Sequence, residues 1–394
     1  MNISVSNDSF NDTQVWRNHI PGQPTYAHKV IMTVVYSTMF LLSLTGNSMT
    51  IYIVWSKPYL RSVTNCLIAN MAAADLVTTF SAMPYAVTYA FIQTQWFGGI
   101  LGTVTCKLLM FLFPLSIAAS IISLVIIGLD RFFAVVYPFN RPKVIRKISV
   151  MSAIVWALSI LFTSPYLYAY KMLLGRDNNY HCVQLWESPI TDPKNASRTY
   201  FVFILVSLYL VPLLLIAIFY SIVSLKLWAR RIPGNPTAAN IRHAEASKKR
   251  TIKMLVIIVI VFTLCWLPAH IIHLLAKFNE RMYSAISPII VLIAIGISHL
   301  NSTINPYLYV ALNKNFRRAY LDILHSWFKP AGSLVRPWGS NTTSSAYLAE
   351  GMSMEYVSVG DLGRREKYDL SKSERNRDSS LRVRQVSLMK VREN

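Results

Sequence analysis

Asp75 is the residue whose chemistry most needs an explanation. It lies in the apolar run NMAAADL (70–76), far from any polar segment. A carboxyl group inside an apolar helix is costly, so it implies one of two arrangements. One is a protonated acid held by hydrogen bonds. The other is an oxygen ligand for a hard cation. Asn47, Ser116, Ser120, Asn301, Ser302 and Asn305 carry the oxygens that would complete such a site if the helices bring them together. A second charged pair, Asp130-Arg131, is followed by the apolar residues AVVYP (134–138), which argues against a plain solvated helix end. Cys106 lies 25 residues before Arg131. At about 1.5 Å per residue that is roughly 37 Å, so the two mark opposite ends of one helix.

Cys106 and Cys182 both fall on the face of the chain expected to be outside, where thiols oxidise, and a disulfide between them is expected. It would tie the loop before the fifth apolar run to the top of the third. Cys66 and Cys265 lie within apolar runs, where a free cysteine packs as a small hydrophobe. Pro84, Pro165, Pro212, Pro268 and Pro306 each remove a backbone donor and permit a kink. Pro268 follows Trp266 in CWLP, so a kink there would let one half of the helix swing about a bulky ring.

The elements that must position these residues follow from composition. Of 394 residues, 53% are hydrophobic and 14% are charged, with a mean hydropathy of +0.38. Soluble domains carry about 25% charged residues. This excludes a soluble enzyme, a disordered chain and a disulfide-dense mini-protein. A bilayer core needs about 20 apolar residues per helix. Seven stretches qualify, near 30–55, 66–91, 104–136, 148–170, 200–227, 252–276 and 285–311, giving an all-α membrane protein. No internal repeat is present, which weighs against a transporter or channel built from related halves.

Orientation follows from the basic loops. Lys57, Arg61, Arg141, Lys143, Arg146 and Lys147 lie between runs on one side, as do the eight Lys and Arg of 226–253. The alternate loops carry mixed signs. This places the N-terminus outside and the C-terminus in the cytoplasm of a multi-pass plasma-membrane protein. The +21 net charge therefore faces anionic lipid, not nucleic acid. Acceptor motifs for N-glycosylation at Asn2, Asn7, Asn11 and Asn195 fall on the outside surfaces. Residues 1–28 read as a glycosylated extracellular segment, 29–312 as the membrane domain and 329–394 as a disordered cytoplasmic tail. Between the last two, 313–328 (NKNFRRAYLDILHSWF) has the spacing of a short amphipathic helix on the membrane surface.

Taken together, these residues resemble the rhodopsin-like (class A) G protein-coupled receptors. The resemblance runs from about 30 to 328. Its motifs fall in order on different helices: Gly46-Asn47; Asn70 and Asp75; Cys106 and Asp130-Arg131-Phe132; Trp156; Pro212 and Tyr220; Phe262-x-x-Cys265-Trp266-Leu267-Pro268; and Asn305-Pro306-x-x-Tyr309. It implies a receptor, not an enzyme, that signals to heterotrimeric G proteins by outward movement of the inner half of span 6. It implies a sodium pocket at Asp75, Ser120, Asn301 and Asn305, the one cofactor-like group expected. Ile121, Pro212 and Phe262 would repack on activation, with Trp266 as an aromatic switch. Asp130, Arg131, Tyr220, Pro306 and Tyr309 would form the inner switch set. Arrestin and receptor kinases are implied partners, and Ser379, Ser380 and Ser387 follow arginines in the tail. Three features depart from the pattern. Phe132 stands where a tyrosine is usual, and Lys248 stands where some members carry an acid for Arg131. No cysteine follows Cys265 to carry a lipid, leaving Trp327 and Phe328 as anchors.

The ligand class follows by elimination within the resemblance. Phe113 stands where amine receptors need a carboxylate, and His299 where opsins need a lysine. About 28 residues cannot supply the ectodomain of a large hormone receptor. What remains is similar to neuropeptide receptors of the tachykinin, neuropeptide Y and RFamide type, with a lipid or other small-molecule ligand as the alternative. Expected pocket residues are Tyr85, Tyr89, Gln93, Phe113, Trp186, Glu187, His270, His273, Lys277 and His299. Lys277 stands where several amidated-peptide receptors carry an acid.

Overall fold

The computed structural model describes residues 25–140, 142–187, 192–229 and 238–328. Seven helices are long and apolar enough to cross a membrane: Tyr26–Ser56, Val63–Ile92, Gly99–Val136, Ile148–Ala169, Pro193–Trp228, Arg250–Phe278 and Pro288–Leu312, here spans 1 to 7. Span 6 is the later part of a helix that starts at Ala238. A further helix, Lys314–Phe328, follows span 7 after Asn313. The chain is a multi-pass seven-helix membrane protein.

Local chemistry sets the helix starts. Thr25 and His28 form a reciprocal cap on span 1, so that helix begins inside the segment read as polar. Ser62 accepts from the Asn65 N–H to open span 2. Asp192 accepts from the N–H groups of Lys194 and Asn195, and Pro193 takes the first helical position. Span 5 therefore starts seven residues before the apolar stretch that began near 200. Within it, Val206–Leu210 forms a π-helical turn just ahead of Pro212. A proline lacks the N–H that the regular ladder needs, and the widened turn accommodates the loss.

Span 3 is the axle of the bundle. Of its apolar window 67% is buried, against 22% in spans 4 and 5. Ile121, Leu124 and Ile127 pack in one core with Leu67, Ile68 and Met71 of span 2 and Ile216 of span 5. Ile258, Phe262 and Trp266 of span 6, and Tyr309 of span 7, join the same core. Val34, Leu41, Leu214, Ile218, Ile271 and Ile293 are exposed on the outside of the bundle. In water they would be a liability; against lipid tails they are at home. The terminal helix buries Phe316, Ala319 and Ile323 along one stripe and exposes Arg317 and Arg318. The side chains of Trp327, Phe328 and Lys248 lie outside the described residues.

Helical periodicity gave no sign of a small three-stranded antiparallel sheet at the disulfide end. It runs β1 (Gln95–Trp96), β3 (Tyr180–Gln184), β2 (Tyr170–Leu174) in spatial order. Gln95 pairs with His181, and Met172 with Cys182. The β2–β3 turn places Asn178 at φ 59°, a conformation asparagine tolerates better than most residues. Cys106 and Cys182 are joined, with Cα atoms 5.7 Å apart, so the hairpin is fastened to the top of span 3.

Gly46 shows why spans 1 and 7 approach so closely. A Cβ there would sit 2.9 Å from Cβ and 3.0 Å from Cγ of Pro306, a rigid ring. Gly296 has open space, the nearest atom to a Cβ being the Tyr36 hydroxyl at 3.9 Å. Gly46→Leu should therefore lower stability by about 1–3 kcal/mol through overpacking. Gly296→Ala should be near neutral. Thermal unfolding of the purified protein separates the two, and equal effects would contradict this packing.

Candidate functional site

Asp75 is buried at the meeting of spans 2 and 7. Asn305 Nδ2 donates to its Oδ2 at 2.9 Å. Ser302 also lies within hydrogen-bonding reach of the carboxyl group. Asn47 bridges from span 1, donating from Nδ2 to the Ser302 carbonyl and to the Ser43 carbonyl, both at 3.0 Å. Ser120 of span 3 is buried as well. Ser116, one turn away on the same span and also a candidate by residue type, is instead committed to Thr78 at 2.7 Å. Among the described residues, the side-chain carbonyl oxygens of Asn47, Asn301 and Asn305 are buried without a hydrogen-bond partner. A carboxylate with orphaned acceptor oxygens on neighbouring helices is a donor set suited to a hard monovalent cation. Asn301 also fits a glycosylation motif, and its burial within span 7 rules out use of that motif in the folded chain.

The pair at the other end of span 3 is internal. Asp130 is fully buried, and Arg131 Nη2 donates to its Oδ2 at 2.6 Å. Thr64 of span 2 donates to the same oxygen at 3.1 Å. Tyr220 and Tyr309 are buried, and neither hydroxyl has a partner among the described residues. Tyr309 packs on Phe316 of the terminal helix, with ring centroids 5.9 Å apart. The three inner switch residues are thus not bonded to one another; Arg131 is held by its own neighbour. Phe132, the departure from the usual pattern, stacks among Phe133, Tyr137 and Phe219. Trp156 donates to Asn70 at 3.4 Å, tying span 4 to span 2.

A train of rings runs inward from the disulfide end. Trp186, just past β3, packs on Tyr200 of span 5 at 4.7 Å. Deeper, His270 lies 4.3 Å from Tyr209 and 6.0 Å from Trp266. Phe113 sits 6.2 Å from Trp266 and 5.1 Å from His299. The Tyr36 hydroxyl and His299 Nδ1 are 2.9 Å apart. Trp266 Nε1 and His299 Nε2 are buried and unpartnered among the described residues. Phe113 and His270 lie well inside the bundle yet keep accessible surface, so the ring train borders an open cleft. Ile121, Phe262 and Pro212 are buried beneath it.

The remaining expected pocket residues divide. Tyr85 and Tyr89 pair at 5.9 Å, and Tyr85 also faces Trp96 of β1 at 6.2 Å. Gln93 ends span 2 with φ 56° and is half-buried. His273 does not join the ring train; it is exposed beside Phe201 and bonded to the Ala269 carbonyl. Glu187 is exposed and paired with Lys171 at 2.5 Å. Lys277 donates to Ser197 Oγ at 2.7 Å and to Gln184 Oε1 at 3.3 Å. At the edge of the cleft, burial pushes the Tyr170 phenol of β2 up to about 12, so it stays neutral. Asn195 is exposed in the first turn of span 5, whereas Asn2, Asn7, Asn11 and the tail serines lie outside the described residues.

Tyr36, Thr64, Arg198, Tyr200 and Tyr209 join these clusters without having stood out in the sequence. Only Tyr209 had a usable signal. It sits three residues before Pro212, and the π turn carries its hydroxyl across to the Thr263 carbonyl at 3.0 Å.

The sequence profile described as 7 transmembrane receptor (rhodopsin family) matches residues 46–309. The chain is similar to the pyroglutamylated RF-amide peptide receptor of Rattus norvegicus, at 28% identity over 83% of this chain and 77% of that protein. It is similar to galanin receptor type 1 of Rattus norvegicus at 33% identity, over 74% of this chain and 82% of that protein. The RYamide receptor of Drosophila melanogaster is 28% identical over 75% of this chain and 64% of its own length. A profile match across seven spans, joined to a buried Asp75–Asn305 link and a disulfide-fastened hairpin, places this chain in the rhodopsin family of seven-transmembrane receptors.

Proposed function

We propose that the protein is a cell-surface receptor for an extracellular peptide, coupled to heterotrimeric G proteins. The observation that carries the peptide reading is the open ring-lined cleft beneath the β2–β3 hairpin. It runs from Trp186 at the rim to Trp266 and His299 at the floor, and it mixes aromatic surface with unpartnered polar atoms. A peptide offers that same mixture along an extended chain. The names of the relatives, which describe receptors for RF-amide, galanin and RYamide peptides, support this reading. The disulfide end faces the oxidising exterior, and the basic loops face the cytoplasm.

The mechanism is a shift between two arrangements. A ligand contributes only the difference between its affinities for them. Span 3 is anchored by its burial, whereas spans 5 and 6 bury only 22% and 39% of their windows. The less buried helices move at lower cost. Pro268 lies one turn from the cleft floor and supplies the hinge by which the inner half of span 6 swings outward. In the present arrangement Arg131 is held by Asp130, which Thr64 also engages. Releasing it would free a guanidinium at the cytoplasmic end, where a G protein docks. Phosphorylated tail serines would then recruit arrestin after receptor kinases act.

A sodium ion would be held by Asp75, Ser120, Asn301 and Asn305. It would supply the positive charge that keeps the Asp75 carboxyl group ionised and draws spans 2, 3 and 7 together. The chain's own contribution is the buried carboxylate and the orphaned amide oxygens beside it.

Cells expressing the receptor with a promiscuous G protein should give a calcium response to one member of a broad synthetic peptide library. Silence across the library, with response to a protease-treated lipid extract, would contradict the peptide reading. Raising sodium from well below its dissociation constant to ten times above it should weaken agonist binding about tenfold in the parent. Asp75→Asn should abolish that dependence; a variant as salt-sensitive as the parent would contradict the sodium site. Arg131→Ala should reach the surface and bind agonist, yet lose most nucleotide exchange on the G protein. Full exchange by this variant would contradict the role given to Arg131.

A further inference from the structure

The mouth of the cleft is positively charged, and the charge has a focus. In the segments 26–30, 93–108, 170–200 and 277–287 of the disulfide end, eight Lys and Arg residues stand against four Asp and Glu. The acids are all engaged. Glu187 pairs with Lys171 and Glu280 with Lys194, each at 2.5 Å. Asp177 faces His181 Nε2 at 3.0 Å. Asp192 caps span 5.

Lys277 and Arg198 are arranged differently. Lys277 is half-buried where span 6, span 5 and β3 meet. Its ammonium donates to Ser197 Oγ and Gln184 Oε1, neutral oxygens that fix its position. Arg198, the next residue after Ser197, donates from Nε to the Lys277 carbonyl at 2.7 Å. Its guanidinium lies 5.5 Å from the centre of the Phe278 ring. The backbone and the ring hold both cations in place side by side. Two like charges held together raise the local potential and favour an incoming anion.

We propose that Lys277, reinforced by Arg198, binds a carboxylate of the activating peptide, so that the ligand is an acidic peptide and not one that inserts an arginine or a bare amide at this point. This rests on the peptide-receptor reading. The carboxylate comes either from an Asp or Glu side chain or from a free C-terminus, and the test separates these sources.

The probes are matched pools of synthetic peptides carrying Asp/Glu or Asn/Gln at the same positions, each made as the free acid and as the C-terminal amide. They are applied to cells whose surface receptor is counted. Responses should concentrate in the carboxylate-bearing pools. A responding peptide should lose at least about tenfold in potency when its carboxylate is converted to an amide. Loss on amidation of the terminus identifies a C-terminal carboxylate; loss on Asp/Glu replacement identifies a side chain. Lys277→Gln should impose the same loss on the acid, with little further effect on its neutral analogue, whereas Lys277→Arg should retain potency. Potency unchanged by Lys277→Glu, or basic amidated peptides that gain potency in Lys277→Glu, would overturn the proposal while leaving the peptide receptor intact. Silence of the parent to every pool would overturn the peptide reading and this proposal with it.

Discussion

A carboxyl group in the middle of an apolar bundle has to be answered by protein atoms, and much of this structure is arranged around that demand. Asp75 receives a hydrogen bond from Asn305, and Asn305 belongs to the span that Asn47 grips through the Ser302 carbonyl. Three helices are thereby joined through polar groups at one level. An ionisable side chain at the centre of a membrane costs about 3 kcal/mol even on the most lenient scale. One hydrogen bond to a charged group returns about 1.5–3 kcal/mol. The balance is close, so the arrangement is sensitive to anything that changes the charge on Asp75. A group poised in this way suits a protein that must hold two arrangements within a few kcal/mol of each other.

Around that centre the molecule is graded from rigid to compliant. Span 3 is buried along most of its length, tied at one end by the disulfide and at the other by the Asp130–Arg131–Thr64 cluster. Spans 5 and 6 lie nearer the lipid and carry the irregularities: the π turn at Val206–Leu210, Pro212 and Pro268. The cleft floor lies where the two groups of helices meet, with Phe113 of span 3 against Trp266 of span 6 and Tyr209 of span 5 against His270 of span 6. A ligand lodged among these rings touches both the fixed and the movable parts. That is the geometric condition for binding at one end to bias the packing at the other.

How much of this could be read from the sequence depends on the range of the interaction. The seven spans were legible because lipid leaves no choice: backbone polar groups must pair within each helix, and about 20 apolar residues in a row announce it. Asp75, Asp130-Arg131 and the cysteines were legible because their chemistry conflicts with their surroundings. The terminal helix was legible from the spacing of Phe316, Ala319 and Ile323. The sheet was not, because a two-residue strand such as Gln95–Trp96 carries no periodicity and owes its pairing to a hairpin about 85 residues away. Span 5 began early for a local reason, the Asp192 cap and Pro193, that a hydropathy window does not weigh. The pocket was the least legible part. His273 shares its helix with His270 but faces Phe201 and not the ring train, and no spacing rule separates them without the neighbouring helices. Tyr36 and Tyr200 entered through contacts with residues more than thirty positions distant, His299 and Phe162.

The central claim is that the Asp75–Asn305 contact is a working link between spans 2 and 7 and not two separately tolerated polar residues. A double-mutant cycle with reciprocal exchange tests it: Asp75→Asn, Asn305→Asp, and both together, each measured for thermal stability and for agonist-evoked signalling at equal surface density. A working link predicts that each single change impairs the receptor and that the exchange, which restores one carboxyl group facing one amide, recovers a large part of the loss. Single effects that simply add in the exchanged protein would contradict it.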